Sequence, residues 1–423
     1  MTPSLDQDHQ ANAAARDEAV DVLLRFGAAI LRSGDTAART REWVAVMARK
    51  LGCEALSLGL SSDAITASLR RVGVSMTGMR EVGPGGTNAW RIGELEKLAR
   101  SLGPHPAPHD IAARIAAIEA APPRHAGGLV VVALGVASAA FAFLNGAGLP
   151  EMVAAALGGA FGQWVRSWLH RRAFNPYGTA AVCAVAASGV CVAAAALGGH
   201  AGLHFAQHPV AVIASVLFLV PGFPLLSALF DLLQLQTLAA VSRFAYGAMI
   251  LAAVALGLSL VIALAGVDLS RPQALALAYP LALALRAVAS FVASAAFALL
   301  FNCPMPIVLA CGLVALVAND LRLLLIDAGM MPAPAAYLAA LAIGLAAVLA
   351  SWRFRVPPMA LAVAPIVIMV PGRAAFEAIV LFNHGQMLEA LQAAASCGFI
   401  VGALAMGLAT ARLFASVDSE VSS

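Results

Sequence analysis

The pattern of apolar and polar positions changes near Pro122-Pro123. Before this point, apolar residues recur at helical or alternating spacing between polar ones. Val20, Leu23, Leu24, Gly27, Ile30 and Leu31 keep helical spacing, and Gly34 is placed to end that helix. Asp35 or Thr36 can N-cap a second helix through Lys50, with Trp43, Val46, Met47 and Leu51 turned inward. Ala55–Leu60, Ala64–Leu69 and Val74–Val82 alternate as strands do, joined by turns at Ser61-Ser62-Asp63 and Val72-Gly73. Asn88 is placed to cap a third helix to about Leu102, and Asp110–Ala120 reads as a fourth. Residues 16–123 therefore predict a small α+β domain, preceded by a disordered N-terminus at 1–15.

After Gly127 the chain becomes a succession of long apolar runs. They predict ten membrane spans, at about 127–145, 150–169, 176–198, 209–231, 241–266, 272–301, 305–326, 333–352, 358–381 and 389–414. Arg166 and Trp168 interrupt the second, Arg286 lies near the middle of the sixth, and Asp320 and Arg322 fall in the seventh. Residues 127–266 and 272–415 form two five-span modules, and 416–423 a C-terminal tail.

Charge sharpens this division. Of 49 Asp, Glu, Lys and Arg residues, 29 precede residue 126, and none occurs in the 58 residues from Ala173 to Phe230. That is too long for a core helix and long enough for two spans. The net charge of +3 implies no nucleic-acid partner, and the acidic N-terminus (Asp6, Asp8, Asp17, Glu18) shows no cleavable signal peptide. With the first domain inside, cytoplasmic loops and ends carry Arg166, Arg171, Arg172, Arg243, Arg353, Arg355 and Arg412, against Arg271 and Arg322 outside. This asymmetry predicts a multi-pass protein of the bacterial inner membrane with both termini cytoplasmic. The six cysteines are scattered and read as small buried hydrophobes.

The membrane part carries a repeat. Ser138-Ala-Ala-Phe-Ala-Phe-Leu matches Ser294-Ala-Ala-Phe-Ala-Leu-Leu, Val220-Pro-Gly matches Val370-Pro-Gly, and Ala255-Leu-Gly-Leu matches Ala405-Met-Gly-Leu, at offsets of 156, 150 and 150. Five spans per copy invert the second in the membrane. The expected fold class is thus a membrane all-α protein with ten transmembrane helices as a 5+5 inverted repeat, after a small soluble α+β domain. Pro221 lies 12 residues beyond Pro209, and Pro371 lies 13 beyond Pro358. At helical rise both Pro-Gly breaks fall roughly 18–20 Å into their spans, near the midplane.

These features together resemble the bacterial threonine/serine exporter family over about residues 20–415. The resemblance rests on Gly27-x6-Gly34 with Thr36, on Asn88 opening a Leu-rich helix, and on Pro221-Gly222 followed by Asp231 and Arg243. The second half resembles the family's smaller partner module, here fused into one chain. The resemblance implies export of threonine and serine driven by the proton gradient, and export of succinate in a split two-chain branch. Gln234 or Leu235 stands where the family pattern has a glycine after Asp231.

An exporter of zwitterions needs a cationic or N–H-rich spot for a carboxylate, an acceptor for an ammonium, and a proton carrier. Helix starts at Pro221-Gly222 and Pro371-Gly372 offer N–H groups, although each Pro also reads as a structural kink. Arg286 or Arg373 is the candidate carboxylate clamp. Glu377, four residues after Arg373, is the candidate proton carrier, and a structural Arg373–Glu377 pair is the alternative. Ser227 occupies the position of Glu377 in the first half. Asp231 and Arg243 are candidates for an inside gate or for an interfacial cap with its counter-charge. Asp320 is a further candidate for proton coupling or gating, and Asn319, Asp320 and Asn302 are candidate cavity residues.

His200, His204 and His208 read as loop residues rather than metal ligands, because Gly198-Gly199, Gly202 and Pro209 surround them. Asp63, Arg80, Glu81 and His105 form no catalytic motif, and Gly83-Pro-Gly-Gly reads as a turn. The first domain is therefore read as a regulatory or gating domain, and no cofactor or metal is expected. Expected partners are a small amino acid, protons and the lipid bilayer, and a homo-oligomer is compatible with the chain. A dicarboxylate exporter, and a membrane-anchored sensor or enzyme, are the competing readings.

Overall fold

The computed structural model describes residues 5–71, 73–83, 85–104, 106–200, 209–266, 277–354, 358–383 and 385–421. The chain forms two compact units, one of residues up to Pro123 with Ser227–Ala245, the other of Arg124–Leu226 with Tyr246 onward.

The first unit begins with helix α1 (Leu5–Arg32), which starts earlier than the expected residue 16. Ala11 and Ala13–Ala15 have high helix propensity and continue α1 toward the N-terminus, where disorder was expected. Gly34, at φ 95°, ends the turn after α1. Thr36 then N-caps α2 (Ala37–Lys50), its side chain accepting from the Arg39 backbone N–H. Strands β1 (Ala55–Leu60), β2 (Ala64–Arg71) and β3 (Val74–Glu81) form an antiparallel meander in sequence order. Leu58 pairs with Ala67, and Ala67 with Gly78.

Ile65, Ala67 and Leu69 alternate inward along β2 and pack with Leu23, Phe26 and Ile30 of α1. A Cβ on Gly27 would collide with Ile65, so glycine sets how closely α1 approaches the sheet. Asn88 accepts from the Arg91 backbone N–H and caps α3 (Ala89–Ser101), which precedes α4 (Pro108–Ala120). Arg25 and Arg32 both bind Glu119, tying α1 to α4.

The second unit is helical. Its helices are α5 (Gly127–Leu144), α6 (Leu149–His170), α7 (Pro176–His200), α8 (Pro209–Val216), α9 (Gly222–Leu233) and α10 (Thr237–Ala265). There follow α11 (Tyr279–Leu300), α12 (Met305–Asp327), α13 (Pro332–Phe354), α14 (Pro358–Val367), α15 (Gly372–Asn383) and α16 (Met387–Val421). Helices α9 and α10 are shared between the two units. Among the described residues, seven helices are long and apolar enough to cross a membrane, or nine spans if each bent pair, α8–α9 and α14–α15, counts as one.

Small residues let the helices approach. A Cβ on Gly158 would lie 2.9 Å from the Ser215 Cβ, and one on Gly162 2.7 Å from the Ala187 Cβ. A Cβ on Gly257 of α10 would lie 3.0 Å from Ala184 of α7; one on Gly407 of α16 would lie 2.8 Å from Ala340 of α13. Both members of each pair are related by the sequence offsets, 150 for the glycines and 156 for the alanines.

Backbone exceptions follow the same offsets. Gly146 and Asn302, Ala173 and Gly329, and Leu235 and Gly385 all have positive φ. Leu235, at φ 58°, occupies the turn for which a glycine was expected. The free cysteines include four buried ones, Cys183, Cys191, Cys303 and Cys311. His200 ends α7; His204, His208, His105, Arg271, Arg355 and Pro84 lie outside the described residues.

Candidate functional site

The two Pro-Gly breaks have the same local construction. Helix α8 tightens into a 3₁₀ turn at Leu217–Leu219, and α9 then leaves at a bend of 59°. Helix α14 ends at Val367, and α15 leaves at 42°. Neither Pro221 nor Pro371 has a backbone N–H to continue its helix. The Gly222 and Gly372 N–H groups instead donate to the Val220 and Val370 carbonyls, each at 2.7 Å. The Pro carbonyls start the new helices, accepting from Leu225 and Ala375, each at 3.1 Å.

The breaks pack reciprocally. A Cβ on Gly222 would stand 3.4 Å from both Val367 and Val370, and one on Gly372 would stand 2.9 Å from Leu217 and 3.0 Å from Val220. Phe141 and Phe297, 156 residues apart, meet edge to face with centroids 5.9 Å apart.

A cavity of about 250 Å³ lies against the second break. Pro371, Gly372, Arg373 and Glu377 line it, with Asn145 and Arg322 as further polar members and Phe141 and Phe297 among its apolar walls. Its volume exceeds the space one water needs by more than tenfold, which suits a small polar solute. Arg373 Nε donates to Glu377 Oε1 at 2.6 Å across one helical turn. Phe223 stands at the position of Arg373 in the first half and packs near Phe301, with ring centroids 6.4 Å apart. Pro224, at the position of Ala374, adds no N–H to the start of α9. Charge and donors thus concentrate at the second break.

The remaining candidates lie elsewhere. Arg286 was expected near mid-span, but α11 starts at Tyr279 with Pro280 in its first turn, so Arg286 is only two turns in. It donates to Asp327 Oδ2 at 2.6 Å and does not line the cavity. Asp320 lies within electrostatic reach of Arg286, and its Oδ1 is buried without a hydrogen-bond partner among the described residues. Asn302 Oδ1 accepts from the Arg124 backbone N–H at 2.8 Å, holding the entry to α5 rather than the cavity. Asn319 supports Arg322, accepting from its Nε at 2.9 Å and donating to Ser290 Oγ at 2.8 Å. Ser227 is fully buried on α9.

Asp231 and Arg243 are brought together in the first unit. Their Oδ2 and Nε atoms are 3.3 Å apart, and Asp231 is fully buried. Asp231 Oδ1 accepts from the Ala37 N–H at 2.8 Å, at the start of α2, where the helix dipole favours a carboxylate. Arg243 donates to the Asp35 carbonyl. Arg41 Nη2 donates to Gln236 Oε1 at 3.1 Å, and the Ser62 N–H to Ser242 Oγ at 3.1 Å. The corner from α9 into α10 is therefore bonded to the α+β domain at four places.

The sequence reading omitted Arg322 and Asn145 as cavity residues. The offset of 156 offered a signal: it places Gln163-x-x-Arg166 of α6 over Asn319-x-x-Arg322 of α12.

Two family models match the chain. The model described as "Putative threonine/serine exporter" matches residues 21–265, and "Threonine/Serine exporter, ThrE" matches residues 286–414. The chain is similar to the "Probable succinate transporter subunit YjjP" of Klebsiella aerogenes, 25% identical over 254 residues, 59% of this chain and 94% of that protein. The protein of the same name from Escherichia coli strain K12 is 25% identical over 262 residues, 62% of this chain and 98% of its own. No solved structure matches significantly. With its first model covering more than half of the sequence and the second covering most of the remainder, the chain belongs to the threonine/serine exporter family.

Proposed function

We propose that this protein is a proton-coupled secondary transporter that exports threonine, serine or similar small amino acids across the bacterial inner membrane. The observation that carries this reading is the cavity at the second break, where Arg373 and Glu377 bring both signs of charge to a bent apolar helix pair. Intramembrane charges of this kind mark solute or ion pathways. Glu377 is the proton carrier, and its short bond to Arg373 is exchanged when it takes up a proton. The family carries transport activity, which supports a transporter rather than an enzyme or an anchored sensor.

The architecture we propose is ten spans in a 5+5 inverted repeat. Helix α6 supplies the tenth span: its 22 residues reach about 33 Å at helical rise, although Glu151 and Arg166 lower its apolarity. The repeated Pro-Gly turns, the reciprocal glycine contacts and the matched positive-φ residues support the repeat. With both termini cytoplasmic, span counting puts Asn145, Arg322, Arg373 and Glu377 in the outer half. Asp231 and Arg243 then fall at the inner ends of α9 and α10, beside the start of α2.

A dicarboxylate substrate is the second reading, favoured by two arginines on one cavity and by the relatives named as probable succinate transporter subunits. Purified protein in liposomes with a proton gradient decides between them. Labelled threonine should accumulate, and excess succinate should leave its uptake unchanged. Threonine movement no faster than in empty liposomes refutes the amino-acid reading, and succinate accumulation in its place supports the second.

A further inference from the structure

We propose that Arg322, held in place by Asn319, binds the carboxylate of the transported solute. This inference rests on the amino-acid transport reading above. Three arginines lie toward this end of the helices, and two are already neutralised: Arg373 by Glu377 and Arg286 by Asp327, each at 2.6 Å. Arg322 lines the cavity and has no carboxylate partner among the described residues. A guanidinium in an apolar span without a counter-charge is costly, and a solute carboxylate entering the cavity supplies that charge.

Arg322 is also oriented for the task. Asn319, almost fully buried, accepts from its Nε at 2.9 Å and is fixed through Ser290 Oγ, whose hydroxyl donates to the Arg286 carbonyl at 2.8 Å. With Nε committed, the two Nη groups remain to form a bidentate pair with a carboxylate. In the first half Gln163 and Arg166 stand 156 residues earlier with the same spacing, but there Gln163 donates to Ser167 Oγ at 3.3 Å and its Oε1 is buried without a partner among the described residues, so the orienting bond to the arginine belongs to the second half. Arg166 too has no carboxylate partner among the described residues; Cys183 and Tyr246 are its polar neighbours.

The test uses the full chain in liposomes, with labelled L-threonine as solute and L-threoninol, which lacks the carboxylate, as competitor. The wild type must transport threonine; its failure to do so refutes the transport reading itself. Given that activity, Arg322→Gln should raise the threonine KM about 10–100-fold, the range for losing a charged hydrogen bond. Threoninol should compete as well as it does against the wild type, so the preference for the carboxylate collapses. Arg322→Lys should fall between. Asn319→Asp, which sets an internal carboxylate beside the guanidinium, should raise KM without removing Arg322. Wild-type KM in both Arg322→Lys and Asn319→Asp, or an unchanged preference over threoninol in Arg322→Gln, overturns the assignment.

Discussion

Replacing Asp231 by alanine removes a fully buried carboxylate that serves two partners at once. One oxygen accepts from Ala37 N–H at 2.8 Å, and the other lies 3.3 Å from Arg243 Nε. Arg243 is only 8% exposed, so without Asp231 its charge stays buried and loses its nearest counter-charge, with Asp35 the remaining carboxylate within electrostatic reach. Breaking a buried pair from one side costs about 3–5 kcal/mol. Asp231→Asn keeps an acceptor for Ala37 and should cost less, about 1–3 kcal/mol. Arg243→Met added to Asp231→Ala removes the stranded charge and should restore part of the loss, with a coupling of about 0.5–3 kcal/mol.

Thermal unfolding followed by Trp43 and Trp90 fluorescence measures the cycle in the full chain. For a unit of this size, about 1 kcal/mol corresponds to a shift of about 2–8 °C in Tm. Amide exchange at Ala37 gives an independent readout, and its protection should fall by about 10–100-fold in Asp231→Ala. Strict additivity of the two substitutions, together with unchanged exchange at Ala37, would refute the contact and the link it makes between α2 and α9.

Leu235→Gly should raise Tm by a few degrees: Leu235 is 86% exposed at φ 58°, so about 1–2 kcal/mol of steric strain is relieved against about 0.5–1 kcal/mol of lost chain entropy. Gly257→Ala and Gly407→Ala should each cost about 1–3 kcal/mol, read as heat resistance in detergent, because the new Cβ would meet the neighbouring helix's backbone. Gly402→Ala, with open space around it, is the control that should be neutral. Glu96→Ala should destabilise the first unit by about 1–3 kcal/mol in denaturant melts, because buried Arg39 loses one charged partner and keeps Asp35. Arg286→Gln should leave the threonine KM within about twofold of the wild type, since an ion pair one-third exposed contributes only about 0–1 kcal/mol and Arg286 does not line the cavity.

Local signals were legible because their physics is local. Thr36 and Asn88 cap helices because a side-chain oxygen reaches an N–H three residues on. Gly34 takes positive φ, and each Pro-Gly ends one helix and starts another, because ring and Cβ sterics act within a few residues. Apolar run length located the long helices, and only α6 departs, since Glu151 and Arg166 reduce an average that a span must keep high. The matched motifs gave the offsets, and at those offsets Gly222 and Gly372 make their reciprocal contacts.

By itself the sequence determined a charged α+β domain, a series of apolar helices, two broken ones and the family. Tertiary structure decided which charges meet. Arg286 and Arg373 look equivalent along the chain, yet one pairs with Asp327, 41 residues away, while the other shares the cavity with Arg322. Asp231 reads as a span-end charge, yet it binds the start of a helix 194 residues earlier. Coulomb energy depends on distance in space and on burial, and neither follows from separation along the chain.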